Sequence, residues 1–481
     1  MIHILDDDSL LNIFYLYRLA VTETDEYENF NDVRISIIMG RRWDLENWWY
    51  KPTQVCRRWR NLILGSPSFL GLYLVCTFGT PVAEMLAHSP PLPLVIDYLD
   101  HEDWNLTAED EEGVFLALEQ PNRIHCIRVG LSLQDLQKFV MAIGNEFPVL
   151  EYLVIATDGE DVNTLVFSET IQAQHLRHLV LSGVAPIGSR LLTTAVGLVT
   201  LCLFMDDSSI YLNPSSLLQW ISSLPQLETL VITPNRDAET QSHMPTITHV
   251  TLPNLCLLSF QGDSAYLEVL VRQIVTPRLE RLHIIFEQPT SSSISCLVRF
   301  MNSTENNKLR FDSAKFGFSG RQLYVETYPH ERSRRSCISI SVDSLHRHGD
   351  VSSMAQIVDA LGQVFSAVEH LILDHEEDSL SSEEDFEVEV DRTEWHKLLR
   401  PFSNVKKLRV NQGLVREFTR FLRLDDGELP PELLPELQEL TYSGSSNPGD
   451  AFAPFIDARQ NAGRPVSFKS VRRSPSPRLI H

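Results

Sequence analysis

The sequence predicts an α/β chain in two parts. A small N-terminal helical module precedes an irregular solenoid, a curved parallel sheet with helices and loops on its outer side. Three observations predict this. Apolar residues near the start and around residue 60 follow helical spacing. From about residue 120, a pattern apolar-x-x-apolar-x-apolar recurs ten times. The 481 residues, 43% hydrophobic and 22% charged, can fill a globular core over that length.

The first helix is read from Leu10, Ile13, Phe14 and Tyr17, the i, i+3, i+4, i+7 set of one face over residues 8–20. Asp6–Asp8 before them suits an N-cap and the positive end of the helix dipole. A second helix is predicted over Thr53–Leu64. Val55, Trp59, Leu62 and Ile63 lie on one side, with Arg57, Arg58, Arg60 and Asn61 on the other. Gly65-Ser66-Pro67 stops it. Between the helices, residues 22–32 are polar and acidic, as in a loop. Trp43, Trp48, Trp49 and Tyr50 follow, and read either as rings completing the small core or as an aromatic anchor for a partner.

The repeat begins at Ile124/Ile127/Val129 and continues at Leu150/Leu153/Ile155, Leu176/Leu179/Leu181, Leu198/Leu201/Leu203, Leu227/Leu230/Ile232, Leu255/Leu258/Phe260 and Leu279/Leu282/Ile284. It returns at Val368/Leu371/Leu373, Val405/Leu408/Val410 and Leu437/Leu440/Tyr442. The first seven starts lie 22 to 29 residues apart by their numbering, the period of leucine-rich repeats. Pro stands two residues before the first apolar position in several units, at Pro148, Pro225, Pro253, Pro277 and Pro435. There it fixes the entering chain and spares the ladder. Between 285 and 367 only Leu309/Phe311 and Ile338/Ile340 suggest the pattern, as in irregular repeats with long insertions. The predicted domains are therefore a helical module at 1–75 with an internal insertion, a linker at 76–120 and repeats at 121–458. An acidic insertion at 374–391 interrupts the repeats, and a basic disordered tail occupies 459–481.

In a repeat strand the second and third apolar residues point inward, so the residues before, between and after them face the open concave side. That expectation places Arg128, Tyr152, His178, Phe204, Arg281, His283, Lys407 and Arg409 on one surface, together with Val154, Val180, Thr200, Thr229 and His370. This mixture of aromatic, imidazole and basic groups suits a protein-binding groove. Any solenoid displays some such mixture, which is the plainer reading.

The formal net charge of -23 includes ten acidic residues in Asp374–Asp391, so about -13 is spread over the rest. Such a field repels phosphate backbones and anionic lipid, which predicts no nucleic-acid and no membrane binding by the body of the chain. The seven cysteines are dispersed and the N-terminus is acidic where a secretory signal needs basic residues, which predicts cytoplasm or nucleus. No phosphate-cradling glycine loop, nucleophile elbow or zinc-protease helix occurs. His175 with His178, and His346 with His348, are the closest histidine pairs and read as surface or groove residues rather than metal ligands. The acidic run lacks the calcium-loop spacing. The chain is therefore expected to be non-enzymatic, with no cofactor and no metal. Ser381, Ser382, Ser474 and Ser476 sit in kinase-like contexts, the first pair acid-directed and the second proline-directed.

The run Val55-Cys56-Arg57-Arg58-Trp59-Arg60-Asn61-Leu62 followed by Ser66-Pro67-Ser68 resembles the second half of F-box domains, especially the expanded fungal set. Leu10-Leu11-Asn12-Ile13-Phe14 resembles the first F-box helix, and Ser89-Pro90-Pro91-Leu92-Pro93-Leu94 resembles the family's link into repeats. Leu5-Asp6 stands where the family reads Leu-Pro, and Phe69 where it reads Trp. The resemblance implies a helical F-box that docks the Skp adaptor of a cullin-based (SCF-type) ubiquitin ligase, while the repeats hold a protein substrate. It carries a docking role onto Leu5, Leu10, Leu11, Ile13, Phe14, Val55, Cys56, Trp59 and Leu62, each of which also reads as internal bundle core. The alternative is a leucine-rich repeat interaction scaffold with a vestigial F-box and no ligase role.

Overall fold

The computed structural model describes residues 5–22, 48–99, 106–143, 146–157, 171–184, 191–205, 212–235, 249–287, 294–303, 309–318, 322–333, 335–343, 351–375, 392–422, 433–444 and 449–471. They form two compact units, Met1–Asn213 with Gln219–Leu227, and Pro214–Leu218 with Glu228–His481. Trp43, His346, His348, the four serines, residues 376–391 and residues 472–481 lie outside the described residues.

The first unit opens on helices α1 (Asp7–Thr22), α2 (Tyr50–Val55), α3 (Arg57–Gly65) and α4 (Pro67–Leu70). Asp6 caps α1, its Oδ1 accepting the Ser9 N–H at 2.7 Å, and that bond holds the Asp6 carboxyl below its usual range. Where the spacing predicts one helix over Thr53–Leu64, the chain forms two. Cys56 is extended (φ -160°, ψ 166°) and breaks them, and its Sγ then caps α3 by accepting the Trp59 N–H at 3.5 Å. Arg58 ties α3 to the start of α1, donating to Asp7 Oδ1 at 2.7 Å and to the Leu5 carbonyl at 2.6 Å. Gly71 ends α4 in the left-handed region (φ 58°), beside Arg18, whose guanidinium donates to the Leu70 carbonyl at 3.0 Å.

Six parallel strands follow in sequence order: β1 (Leu74–Cys76), β2 (Leu94–Tyr98), β3 (Ile124–Leu131), β4 (Tyr152–Thr157), β5 (His178–Ser182) and β6 (Thr200–Phe204). Helices α5 (Val82–His88), α6 (Ala108–Leu118), α7 (Leu133–Ala142) and α8 (Leu191–Thr194) lie along the connections. The Thr107 and Ser132 hydroxyls cap α6 and α7. The ladder thus starts at residue 74, and the stretch 76–120 expected as a linker supplies a strand and two helices to it. Equivalent leucines stack in register, Ile127 on Leu153, Leu153 on Leu179 and Leu179 on Leu201, all buried. This row of side chains is what one repeat cannot bury alone.

Helix α9 (Pro214–Ser222) divides between the units. The second unit contains β7 (Thr229–Thr233), β8 (Val250–Thr251), β9 (Leu257–Gly262), α10 (Ser264–Val271), β10 (Ile274–Val275), β11 (Arg281–Phe286) and α11 (Ser295–Asn302). Then come β12 (Ser313–Phe318), β13 (Gln322–Tyr328), β14 (Ile338–Asp343), α12 (Val351–Ala360), α13 (Gly362–Phe365) and β15 (His370–His375). The unit closes with α14 (Arg392–Leu399), β16 (Lys407–Asn411), α15 (Val415–Leu422), β17 (Glu439–Ser443), α16 (Gly449–Asn461) and β18 (Ser467–Val471). Its main sheet runs β7-β9-β11-β14-β13-β12-β15-β16-β17-β18, while β8 and β10 pair separately.

The ten sequence triplets fall on β3, β4, β5, β6, β7, β9, β11, β15, β16 and β17, and their inward residues are buried. The blurred region has a topological cause. β14 pairs parallel with β11 and β12 parallel with β15, while β13 runs antiparallel between β12 and β14. The chain skips two strand positions and fills them on the way back, with short antiparallel connections. Ile338 and Ile340 lie on β14, whereas Leu309 and Phe311 precede β12. At the other end α16 and β18 extend the array to Val471. Arg459, expected in a disordered tail, is buried and donates to the Pro435 and Leu437 carbonyls at 3.2 and 3.1 Å.

Candidate functional site

The helical module separates its apolar residues into two sets. Leu10 and Phe14 are buried in the bundle, and Trp59 meets Phe14 edge-on with ring centroids 4.9 Å apart. Phe14 and the half-buried Trp59 thus hold α1 against α3. Leu5, Leu11, Cys56 and Leu62 are half-buried. Ile13 and Val55 are exposed, Val55 by 61%. Trp48 and Trp49 are buried, with the Trp49 indole N–H bound to the Tyr73 carbonyl at 3.1 Å, so those rings complete the core. Tyr50 is exposed.

Of the eleven large hydrophobic side chains exposed among the described residues, seven lie in this module: Ile13, Tyr15, Leu16, Tyr17, Tyr50, Val55 and Phe69. Ile13, Leu16 and Tyr17 share the i, i+3, i+4 spacing of one stripe on α1. Tyr15 meets Phe69 of α4 at 5.8 Å, which joins that helix to the apolar surface. Isolated exposed apolar residues are ordinary, but concentration in one small module makes this a candidate interaction surface. Sequence reasoning missed Leu16 as a member. Its spacing from Ile13 was the available signal.

In the first unit the residues that alternate with the leucines form three rows across the strands. One carries a ladder of rings: Tyr73 stacks on His125 at 5.2 Å, His125 meets Tyr152 at 5.9 Å, and Tyr152 stacks on His178 at 4.3 Å and 7°. His178 Nδ1 also lies 3.1 Å from Thr200 Oγ1. Burial lowers the His125 pKa against the opposing pull of Glu151, 3.8 Å away. Tyr152 and His178 thus sit half-buried on the predicted face. The other two, through Arg128 and through Phe204, are closed. Arg128 Nη1 donates to Asp97 Oδ2 at 2.8 Å, with both side chains buried, and Phe204 is buried as well. Arg128 and Phe204 are therefore structural rather than presented to a partner. Arg128 answers a carboxylate directly across the strand pair, and Phe204 lies opposite the buried Ser182.

In the second unit the same parity gives a similar division. His283 is buried, shares a 3.1 Å hydrogen bond with Ser259 Oγ, and burial pushes its pKa down to about 4. Arg281 is half-buried and its pKa is lowered by burial, with Arg335 contributing. Lys407 and Arg409 on β16 are exposed. They share a polar face with His370 and with Lys315, which lies 3.1 Å from Asp374 and over the Tyr324 ring. Lys469 of β18 continues that face, one strand on from Thr441 in the row of Arg409, and was missed because the sequence reading placed it in the tail.

Among the described residues no group of three or more His, Cys, Asp or Glu is arranged to hold a metal ion, and no helix is long and apolar enough to cross a membrane. No family model matches the chain, and no curated protein matches it. Among solved structures, the leucine-rich repeat-containing protein LegL7 from Legionella pneumophila is similar at a TM-score of 0.22 and 10% identity, over 84% of this chain and 91% of that one.

Proposed function

We propose that this chain is the substrate-recognition adaptor of an SCF-type ubiquitin ligase. Its helical module docks a Skp adaptor, and through it a cullin, while the repeat ladders hold the protein to be modified. The concentration of exposed apolar residues at Ile13, Leu16, Tyr17, Tyr50, Val55 and Phe69 carries this reading. Covering them with a partner would remove apolar area from water at roughly 25 cal/mol per Å². No chemistry is asked of the chain itself, because holding a target near the ubiquitin-charged enzyme raises the effective concentration of its lysines. The function resides in the cytoplasm or nucleus.

A second reading is a repeat scaffold that works without ubiquitin machinery. It is favoured by the burial of Leu10 and Phe14 inside the bundle, with Trp59 packed on Phe14. Co-expression with a tagged Skp adaptor separates the two. Full-length chain retained on the adaptor column, and lost with Val55→Asp, supports the ligase reading. A chain that is never retained leaves the scaffold.

A further inference from the structure

We infer that the exposed face of β15–β18 binds an extended acidic peptide through Arg409, with Lys407 and Lys469 beside it; this rests on the reading that the repeats hold a protein target.

Arg409 is the centre of this face. It is exposed on β16, flanked across the sheet by Ile372 and Thr441. Its guanidinium is held by the Ser443 hydroxyl, Nη2 to Oγ 3.0 Å, and Ser443 is itself buried. Among the described residues no carboxylate lies within ion-pair distance of Arg409, in a chain whose formal charge is -23. A planar cation oriented by a neutral partner keeps its remaining N–H groups for a carboxylate, and such pairs form bidentate, charge-assisted bonds. The neighbouring cations differ from it. Lys469 is paired with Glu439 at 2.7 Å, and Lys407 reaches Glu331 only at 4.0 Å.

The spacing selects an extended ligand. Lys407 and Arg409 stand two residues apart on one strand, roughly 7 Å, the repeat of alternate side chains in an extended peptide. Arg409 and Lys469 share a row with Thr441 between them, about 10 Å across two strand spacings. Carboxylates at alternate positions of an extended segment match the first distance and stay on one side of it. Three cations interleaved with Glu439 and Glu331 are too few for a nucleic-acid backbone, which needs a basic stripe.

Fluorescence anisotropy on the full-length chain tests this with a labelled ten-residue peptide of alternating Glu and Ser, and its Gln counterpart. The Glu peptide is expected to bind at least tenfold more tightly, and Arg409→Ala to weaken it tenfold or more while Arg409→Lys retains part of the affinity. Raising salt should weaken binding, with unchanged thermal melting for each variant. Equal binding of Glu and Gln peptides, or no effect of Arg409→Ala, overturns the inference. So does a phosphoserine version that binds when the Glu peptide does not. Retention on the Skp adaptor is scored separately with Val55→Asp, so failure at either site is read independently.

Discussion

Trp59 of α3 packs edge-to-face on Phe14 of α1, with centroids 4.9 Å apart and rings inclined at 72°. These two residues hold α1 and α3 together, while Val55, at the end of α2, stays exposed. The pair separates folding from docking. Trp59→Ala should cost about 2 kcal/mol through the lost ring packing. Val55→Asp should change stability by less than about 0.5 kcal/mol and abolish adaptor binding. Urea denaturation of full-length variants, paired with column retention, checks both.

The buried Asp97–Arg128 pair predicts an asymmetry. Removing one partner strands a charge, so Arg128→Ala should destabilise the first unit by about 3–5 kcal/mol. Replacing both, as Asp97→Leu with Arg128→Met, should recover most of that loss. A denaturation cycle over the four variants measures it. Equal losses in the single and double variants would contradict the assignment.

His283 predicts a pH dependence of definite sign. Burial lowers its folded pKa from 6.5 to about 4, so the unfolded chain binds more protons between those values. Stability contributed by the neutral ring is complete above about pH 6.5 and is lost as pH falls toward 4, by about 3 kcal/mol in all. The difference in stability between wild type and His283→Gln should therefore narrow as pH falls from 7 to 4. A difference constant with pH would contradict it.

Gly317 on β12 faces Tyr324 on β13, and a Cβ there would run into the tyrosine ring. Gly317→Ala should cost about 1–3 kcal/mol by overpacking. In a Tyr324→Ala background the same substitution should cost far less, and thermal melts of the four variants decide it.

Much of the ladder was legible because each repeat presents the same three apolar positions, and Leu153, Leu179 and Leu201 land on one another as their spacing requires. The strands without a full triplet break the pattern. Pro93 precedes β2 where an apolar residue is expected, Arg335 precedes β14 and leaves only Ile338 and Ile340 of its triplet, and Pro465 and Ser470 replace the first and last apolar residues of β18. The hairpin of β12 and β13 follows no repeat period, because β13 runs against it. Parity places Arg128, Phe204 and His283 on the strand face opposite the leucines, but their burial depends on neighbours across strands, such as Asp97 and Ser259, that only the register supplies. The helix break at Cys56 carries no Gly or Pro of its own, so helical spacing read straight through it.

The most direct test of the adaptor reading is calorimetric titration of full-length chain with a purified Skp adaptor, using wild type and the Ile13→Asp, Val55→Asp double variant. The account predicts one-to-one binding by the wild type and at least a hundredfold loss in a variant that keeps its melting temperature. No binding by wild type, or equal binding by both, would contradict it.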